Sequence, residues 1–389
     1  MARLGDICTI NPKTPTLDDN LSVSFIPMPK VGENGEFDPS EIKKYYEVKK
    51  GFTYFQNGDV LFAKITPCME NGKGAVARLM ENGIGFGSTE FHVLRPNNSV
   101  VSEWIYYLLS WSGFRKEAEK NMTGSAGQKR VPKTFLENYQ IELPSVEHQK
   151  EQINILKEVD NLVFLHKQQL SKLDELVKAR FVELFGDPIK NDMGWETTLL
   201  KNATSKIGSG ATPKGGKESY QAEGVTLIRS MNVHDGRFEY KDLAHITDEQ
   251  AKQLDNVIIE ENDVFINITG ASVARSCIVP KHILPARVNQ HVAIIRCVTS
   301  MLNPVFANNM FLNHSFKGQL LDIGETGGAT RQAITKQQLE TLSVILPPIE
   351  LQNQFAAFVE QTDKSKLAIQ KSLEKLETLK KSLMQKYFG

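Results

Sequence analysis

The pattern of apolar and polar positions alternates along the chain between short apolar runs and long stretches with helical spacing. The short runs are rich in Val, Ile and Phe, and DVLFAKI, VTLIRS, DVFINI and HVAIIRC predict β-strands. The stretch VSEWIYYLLSWSGFRKEAEKN (101–121) predicts a helix, with Gly- and Pro-containing loops between these elements. This mixture predicts α+β domains.

The chain contains an internal repeat at an offset of 203 residues. Lys133–Gly186 aligns with Lys336–Gly389 without a gap over 54 positions, of which 15 are identical. Each copy passes through Leu-Pro, an acidic residue and a glutamine into a long helical pattern. Upstream, NGDVLFAKITP (57–67) resembles ENDVFINITGA (261–271) more loosely. The repeat predicts two units, each a variable region followed by a similar tail.

Both tails have the apolar spacing of coiled-coil helices, with steps that alternate between three and four residues. A helix of roughly 39 residues is about 58 Å long, and a single seam on so long a helix needs a partner. We therefore expect an intramolecular antiparallel coiled coil; alternatively, each helix packs only on its own domain. The residues predicted to form the coiled coil or bind a partner are Leu156, Val163, Leu170, Leu173, Val359, Ile369, Leu373 and Leu376.

Composition and charge narrow the class of protein. The 389 residues, 40% apolar and 24% charged, suit a globular protein of two or three domains. The four cysteines lie far apart, which argues against a disulfide framework or a zinc site and favours the cytoplasm. No apolar run could span a bilayer, and the N-terminus lacks the apolar stretch of a signal peptide. The net charge is zero, so any nucleic-acid surface must be local.

Six loops combine small residues with basic or amide side chains. Glycine allows close approach to a phosphate chain, Lys and Arg pair with phosphates, and Arg, Asn and Gln can read base edges. Each loop taken alone is also typical of an ordinary solvated loop. The candidate DNA-binding residues are Lys64, Asn71, Lys73, Gln128, Lys129, Arg130, Lys214, Lys217, Arg229, Asn232, Arg237, Asn267, Arg275, Arg331 and Gln332.

Catalytic and metal motifs are weak. NPVF (Asn303–Phe306) is near the Asn-Pro-Pro-Phe of amino-methyltransferases but lacks the second proline. GGK at 215–217 lacks the rest of a phosphate loop, and the histidines show no His-Glu-x-x-His spacing. His166 falls on the helix seam, so packing or a partner contact is its expected role. His291 lies in a strand-like run, so we expect it to be buried. We expect no catalytic residue and no metal site in this chain.

Two variable units, each followed by a Leu-Pro, Glu and Gln passage into a leucine-seamed helix, resemble the specificity (S) subunit of type I restriction–modification systems. The GDV and NDV strand starts, GATP at 210–213 and TGGATRQAIT at 326–335 are also similar to that family. The resemblance covers essentially the whole chain. It implies a first target-recognition domain, a central spacer helix, a second target-recognition domain and a C-terminal spacer helix, at residues 1–146, 147–186, 187–349 and 350–389.

The resemblance also implies a function. Each domain would read one half of an asymmetric, bipartite site in double-stranded DNA, while the paired helices fix the unread spacer and dock two methyltransferase (M) subunits. Two restriction (R) subunits would complete the complex. S-adenosylmethionine, ATP and Mg²⁺ are then expected on those partners, with no cofactor on this non-catalytic chain. The alternatives are a self-contained DNA methyltransferase and a coiled-coil scaffold that does not contact DNA.

Overall fold

A computed structural model of the chain describes residues 1–125, 127–213, 216, 220–326 and 332–389. The chain divides into two compact units. Met1–Lys167 and Lys371–Gly389 form the first unit, and Gln168–Gln370 form the second. Each unit contains sheets, short helices and a segment of each of two long helices, so the predicted α+β class is confirmed.

Two four-stranded sheets and a two-stranded ribbon form the β-structure of the first unit. The strands are β1 (Ala2–Arg3), β2 (Cys8–Ile10), β3 (Ser22–Ile26), β4 (Ile42–Lys44), β5 (Thr53–Gln56), β6 (Val60–Ala63), β7 (Gly74–Val76), β8 (Ile84–Gly87), β9 (Phe91–Pro96) and β10 (Gln140–Ile141). One sheet is antiparallel in the order β2-β9-β6-β7, and the other has the order β4-β3-β8-β5 with β3 parallel to β8. The ribbon pairs β1 with β10.

The short helices of the first unit are α1 (Leu4–Ile7), α2 (Tyr45–Val48), α3 (Ser102–Ser110), α4 (Ser112–Lys120) and α5 (Lys133–Asn138). Four of them belong to the core on the antiparallel sheet, and α2 packs against the sheet that contains β3 and β4. The single helix predicted over 101–121 is two helices, because Trp111 adopts an extended backbone conformation between them. Trp104 from α3 and Phe114 from α4 are fully buried in one core with Phe62 of β6.

The second unit repeats this topology. Its strands are β11 (Thr197–Leu199), β12 (Thr204–Ser209), β13 (Val225–Ile228), β14 (Val233–His234), β15 (Arg237–Phe238), β16 (Ala244–Ile246), β17 (Val264–Asn267), β18 (Ser276–Ile278), β19 (Ala286–Val288), β20 (Val292–Cys297) and β21 (Ser343–Ile345). The antiparallel sheet β12-β20-β17-β18 corresponds to β2-β9-β6-β7, and the parallel pair β13 and β19 corresponds to β3 and β8. The hairpin of β14 and β15 is a feature of the second unit.

The short helices of the second unit are α7 (Asp248–Lys252), α8 (Pro304–Leu312), α9 (His314–Thr326) and α10 (Lys336–Glu340). Its core contains the fully buried aromatic side chains of Phe306, Phe311 and Phe316, packed against the antiparallel sheet. No helix in the described ranges of the chain is both long and apolar enough to cross a membrane.

The two tails of the sequence repeat form helices of 40 residues each, α6 (Val146–Phe185) and α11 (Ile349–Phe388). In the first unit Lys380 Nζ lies 2.5 Å from a carboxylate oxygen of Asp160. His166 Nε2 lies 3.0 Å from Ser372 Oγ in the same unit. The contact nearer the C-terminus of α6 thus involves the residue nearer the N-terminus of α11. The two helices therefore run antiparallel, which confirms the prediction.

The pairing continues in the second unit, where Lys366 Nζ lies 2.6 Å from an Asp174 carboxylate oxygen. Phe355 packs against Phe181 and Phe185 there. Among the predicted seam residues, Leu156 and Val359 are buried in the cores of the first and second units, and Leu373 is also buried. The half-buried seam residues are Val163, Leu170, Leu173, Ile369 and Leu376.

Candidate nucleic-acid interface

A buried ion pair occupies the same place in both units. Asp59, just before β6, receives two hydrogen bonds from Arg95 of β9, at 2.8 and 2.7 Å. Asp263, just before β17, receives two from Arg296 of β20, both at 2.8 Å. The hydrogen-bonded carboxylate raises the pKa of each arginine above its ordinary value. The repeated GDV and NDV strand starts are therefore structural features that hold the two central strands together.

A buried glutamine ties the start of each long helix to the domain before it. Gln149 Oε1 accepts a hydrogen bond from Val101 N, and Gln352 Oε1 accepts one from Asn303 N, both at 2.9 Å. Each glutamine Nε2 also donates to the carbonyl oxygen of the proline five residues earlier, at 2.9 and 2.8 Å respectively. Both side chains are fully buried. This hydrogen-bonded tie accounts for the repeated Leu-Pro, Glu and Gln passage.

The NPVF sequence starts a helix. Asn303 caps α8, because its side-chain oxygen accepts hydrogen bonds from Val305 N and Phe306 N. Its Nδ2 donates to Asn353 Oδ1 at 2.8 Å. The asparagine amide is thus engaged within the protein, and the proline that follows it stands at the first helical position, where proline is tolerated.

The candidate loops of the first unit meet at one edge of its antiparallel sheet, where β6 ends and β9 begins. Thr66 N donates to Lys129 O at 3.1 Å, and Val131 N donates to Lys64 O at 2.9 Å. Residues 64–66 and 129–131 therefore lie side by side. This edge, formed by Lys64, Gln128, Lys129, Arg130 and Glu90, is called the first reading edge below.

The side chains at the first reading edge divide into engaged and free groups. Arg130 makes a two-pronged ion pair with Glu90, at 2.9 and 2.7 Å. This hydrogen-bonded pair lowers the pKa of Glu90 below its ordinary value. Gln128 and Lys129 are exposed. Arg130 is thus placed to fix the loop, while Gln128 and Lys129 are available to a ligand.

Two further candidates of the first unit lie at the turn before β7. Lys73 is half-buried, and its Nζ donates to Met28 O at 3.4 Å. Asn71 is exposed. Lys73 therefore faces its own domain, whereas the Asn71 side chain faces solvent.

The candidate loops of the second unit meet at the corresponding sheet edge, where β17 ends and β20 begins. Gly270 N donates to Gln332 O at 3.0 Å, and Asn267 Nδ2 donates to Ser230 O at 2.8 Å. Gly210 N donates to Asn289 O at 3.1 Å. Four segments that are distant in sequence thus converge at this second reading edge, around residues 208–213, 229–237, 267–275 and 332.

Two of the asparagines predicted to contact DNA are fully buried. Asn232 Nδ2 donates to Glu239 O at 3.0 Å and to Lys241 O at 3.2 Å. Asn267 binds the loop at Ser230 in the same way. Because these amides are enclosed and donate to backbone carbonyls, they hold the loops in place, and direct DNA contact through these two side chains stays a prediction.

The arginines of the second reading edge differ in exposure. Arg229 and Arg275 are half-buried, with Arg229 over the Tyr220 ring at 5.4 Å and Arg275 Nη1 3.5 Å from His234 Nδ1. Arg237 is exposed at the start of β15. Gln332 is half-buried, and Lys214, Lys217 and Arg331 lie outside the described residues.

His291 has polar partners that its apolar sequence neighbourhood does not indicate. It is half-buried, its Nδ1 is hydrogen-bonded to the Thr269 hydroxyl, and its Nε2 lies 3.0 Å from Gln290 Nε2. Gln290 is exposed and is also bonded to Thr212. Sequence analysis missed Gln290, Thr212 and Glu90 as members of the two edges, because no local motif links these separate segments.

Metal and thiol chemistry have little structural support. Within the described ranges, no group of His, Cys, Asp or Glu side chains could hold a metal ion. Burial raises the pKa of Cys8, Cys277 and Cys297 to about 12 each. These thiols are therefore packed as small apolar side chains.

Comparison with known proteins identifies the family to which the chain belongs. The sequence profile of the type I restriction modification DNA specificity domain matches residues 1–175 and 194–381. The chain belongs to the family of type I restriction–modification specificity subunits. The predicted resemblance is thereby confirmed, and the two reading edges belong to a DNA-recognition subunit.

Individual relatives support the same family. The chain is 30% identical over 450 aligned positions to the specificity subunit of the type I restriction enzyme EcoAI of Escherichia coli, covering 89% of this chain and 74% of that protein. It is 43% identical over 178 positions to the EcoEI specificity subunit of Escherichia coli, covering 44% and 29%. A solved structure from work on complex assembly and conformational transition of the type I R–M system has a TM-score of 0.63 at 18% identity, covering 99% and 96%. That structure shares the fold of this chain.

Proposed function

We propose that this specificity subunit reads a bipartite, asymmetric site in double-stranded DNA, with one half-site read by each unit. The observation that carries the proposal is that both units gather their amide and basic loops at the same edge of the same sheet. The supporting ion pairs and glutamines are repeated, whereas the side chains at the edges differ. Two different readers in one chain can recognise two unrelated half-sites, which two identical readers cannot.

The exposed side chains of the reading edges supply the contacts. Lys129 and Arg237 are placed for phosphates, which fix the register of a protein on the duplex. Gln128 and Asn71 offer amides for base edges. The proposed DNA-contacting residues also include four half-buried side chains, Lys64, Arg229, Arg275 and Gln332. We retain Lys214, Lys217 and Arg331 among them because of their sequence context alone.

The long helices dock two methyltransferase subunits in this proposal. Large apolar side chains are exposed on both helices at positions related by the sequence repeat, namely Leu176 with Leu379 and Phe164 with Leu367. Exposed apolar side chains on a helix favour a protein partner. Their recurrence in each helix supports two copies of one kind of partner.

The remaining parts of the complex carry the chemistry. We assign S-adenosylmethionine to the methyltransferase subunits, and ATP and Mg²⁺ to two restriction subunits, in the cytoplasm. Recognition is then divided among residues 1–146 and 187–349, and the helices at 147–186 and 350–389 set the unread spacer. Titration of the full-length chain alone with S-adenosylmethionine should show no saturable binding. Saturable binding would favour a self-contained methyltransferase.

The direct test of the proposed function is a genome-wide map of methylated adenines in cells with and without this chain, with its methyltransferase partner present. We expect one bipartite motif with an unread spacer, methylated only when the chain is present. The same methylated positions in both cell lines would contradict the proposal. A coiled-coil scaffold that does not contact DNA predicts that unchanged map.

A further inference from the structure

A chain of polar side chains runs along the second reading edge where β20 begins. The Thr212 hydroxyl is hydrogen-bonded to the Gln290 amide oxygen. Gln290 Nε2 lies 3.0 Å from His291 Nε2, and His291 Nδ1 is hydrogen-bonded to the Thr269 hydroxyl. These residues come from the loop after β12, the segment just before β20 and the loop after β17, so the network joins three segments. Gln290 and Thr212 are its exposed members, His291 and Thr269 are half-buried, and the preceding Asn289 is buried.

The polarity of this network follows from the atoms involved. An amide nitrogen only donates, so His291 Nε2 accepts from Gln290 and the ring proton lies on Nδ1, toward the Thr269 hydroxyl. The Gln290 oxygen accepts one hydrogen bond from Thr212 and retains a second lone pair. Its nitrogen donates once to His291 and retains a second proton. Gln290 therefore keeps one acceptor and one donor, the pair that a glutamine uses to bind adenine at N6 and N7.

The immobilised amide has an energetic advantage. A free glutamine side chain loses rotamer freedom when it binds a base, and that loss weakens the contact. Gln290 is already held at both polar atoms by Thr212 and His291. Because both polar atoms of the Gln290 amide are held in place, the amide can bind a matching base without a further loss of freedom. A mismatched base would leave the amide without its hydrogen-bond partners.

The equivalent position of the first unit differs in chemistry. The pairings of Ala63 with Phe91 and of Asn267 with Val292 align the two sheets, and they place Thr89 where the second unit has Gln290. Both side chains are exposed. A position that is exposed at the same sheet edge in both units, but carries a hydroxyl in one and an amide in the other, fits readers of two different half-sites.

We propose that Gln290 is a base-reading residue of the second unit, specific for an adenine in one half-site, and that Thr212 and His291 are its positioning residues. This inference rests on the proposed function, since it names one side chain by which the second unit discriminates bases. It assigns DNA recognition to a residue outside the glycine-containing loops.

The test uses the full-length chain assembled with its methyltransferase subunits. Affinity is measured at one fixed salt concentration for a DNA panel in which every base pair of both half-sites is substituted singly. Gln290→Ala should reduce discrimination by about 5- to 100-fold at one base pair of one half-site. Affinity for unrelated DNA and the salt dependence should stay at the wild-type level, because no phosphate contact is lost.

Four further variants separate reading from support. Gln290→Glu keeps the size of the side chain but removes the donor, and should weaken discrimination at the same base pair. Thr212→Val should reduce discrimination at that pair to a smaller extent, with recovery in Thr212→Ser, which restores the hydroxyl. Thr89→Ala is the matched control at the equivalent position and should leave that base pair unaffected.

The outcomes distinguish this inference from the proposed function. If Gln290→Ala keeps wild-type discrimination at every base pair, or weakens all sequences alike while the chain remains folded, Gln290 does not read a base. In either case the wild-type complex still selects its bipartite site, and the proposed function stands. If the wild-type complex shows no sequence preference, the proposed function fails, and the inference fails with it.

Discussion

The two units share the buried ion pair that holds their antiparallel sheets together, but the side chains at their reading edges differ. In the first unit, Asp59 and Arg95 join β6 to β9 by two hydrogen bonds. In the second unit, Asp263 and Arg296 join the equivalent strands β17 and β20 in the same way. At the reading edges, however, the first unit has an ion pair between Glu90 and Arg130, whereas the second has His291 hydrogen-bonded to amide and hydroxyl groups.

This contrast shows where the sequence of a unit is constrained. A buried charge or amide that loses its partner leaves an uncompensated polar group in the interior, so the supporting residues must change together. An exposed side chain at the edge can change with little effect on folding. The supporting residues Asp59, Arg95 and Gln149 therefore recur as Asp263, Arg296 and Gln352, whereas the side chains at the reading edges differ.

The largest expected effect concerns the buried ion pairs. Asp59→Ala and Asp263→Ala should each lower the free energy of unfolding of the mutated unit by about 3–5 kcal/mol, because a mostly enclosed arginine loses its partner. Denaturant-dependent hydrogen exchange of β6 with β9, and of β17 with β20, measures each unit separately. Asp38→Ala, which removes an exposed carboxylate 3.4 Å from Lys30, is the control and should have a much smaller effect on stability. A large loss in only one of the two units would show that the support is not equivalent.

The buried glutamines should show a smaller but again matched effect. Gln149→Ala and Gln352→Ala each remove hydrogen bonds to enclosed backbone groups, which should cost about 2–3 kcal/mol in either unit. Hydrogen exchange at the start of α6 and of α11 reports the loss. Gln169→Ala, an exposed position on α6, serves as the control. Wild-type protection in Gln149→Ala would contradict the role of the glutamine tie.

At the first reading edge, Lys129→Ala should weaken binding of the assembled complex to all DNA sequences alike. The lysine is exposed, and loss of one phosphate contact should reduce the slope of log affinity against log salt by about 1. A salt titration with matched and unrelated DNA measures both quantities. Lys129 would instead be a base reader if the variant changed preference at one base pair with an unaltered slope.

The smallest expected effect is a pH dependence confined to the first unit. Burial lowers the pKa of His92, whose Nε2 donates to Val131 O at 2.8 Å while its Nδ1 faces the Asn11 amide at 3.1 Å. The unfolded chain therefore binds the proton more readily. The contribution of neutral His92 is complete above the unfolded pKa of about 6.5 and is lost as pH falls through the lower folded value.

The measurement is the stability of each unit by hydrogen exchange between pH 7.5 and 5.5, in wild type and in His92→Asn. The wild-type first unit should lose more stability on acidification than the variant does. Ala293 stands at the equivalent position of the second unit, so the substitution should leave that unit unchanged. An identical pH dependence of the first unit in both proteins would exclude His92 as its source.

Sequence reasoning identified the elements that depend on local periodicity or on the repeat. The two long helices and the α+β class follow from apolar spacing, and the repeated strand starts mark Asp59 and Asp263. It did not find the break at Trp111, because the apolar pattern continues across it. It also could not separate the enclosed Asn232 and Asn267 from the exposed Gln290, because burial of a polar side chain depends on which distant loops meet.

The central claim is that one chain carries two independent readers on a repeated support. Its most direct test replaces residues 1–146 with the first domain of another family member and maps methylated adenines with the assembled complex. We predict that one half-site changes while the other half-site and the spacer length stay the same. A complex that remains folded and active, yet changes both half-sites or neither, would contradict the claim.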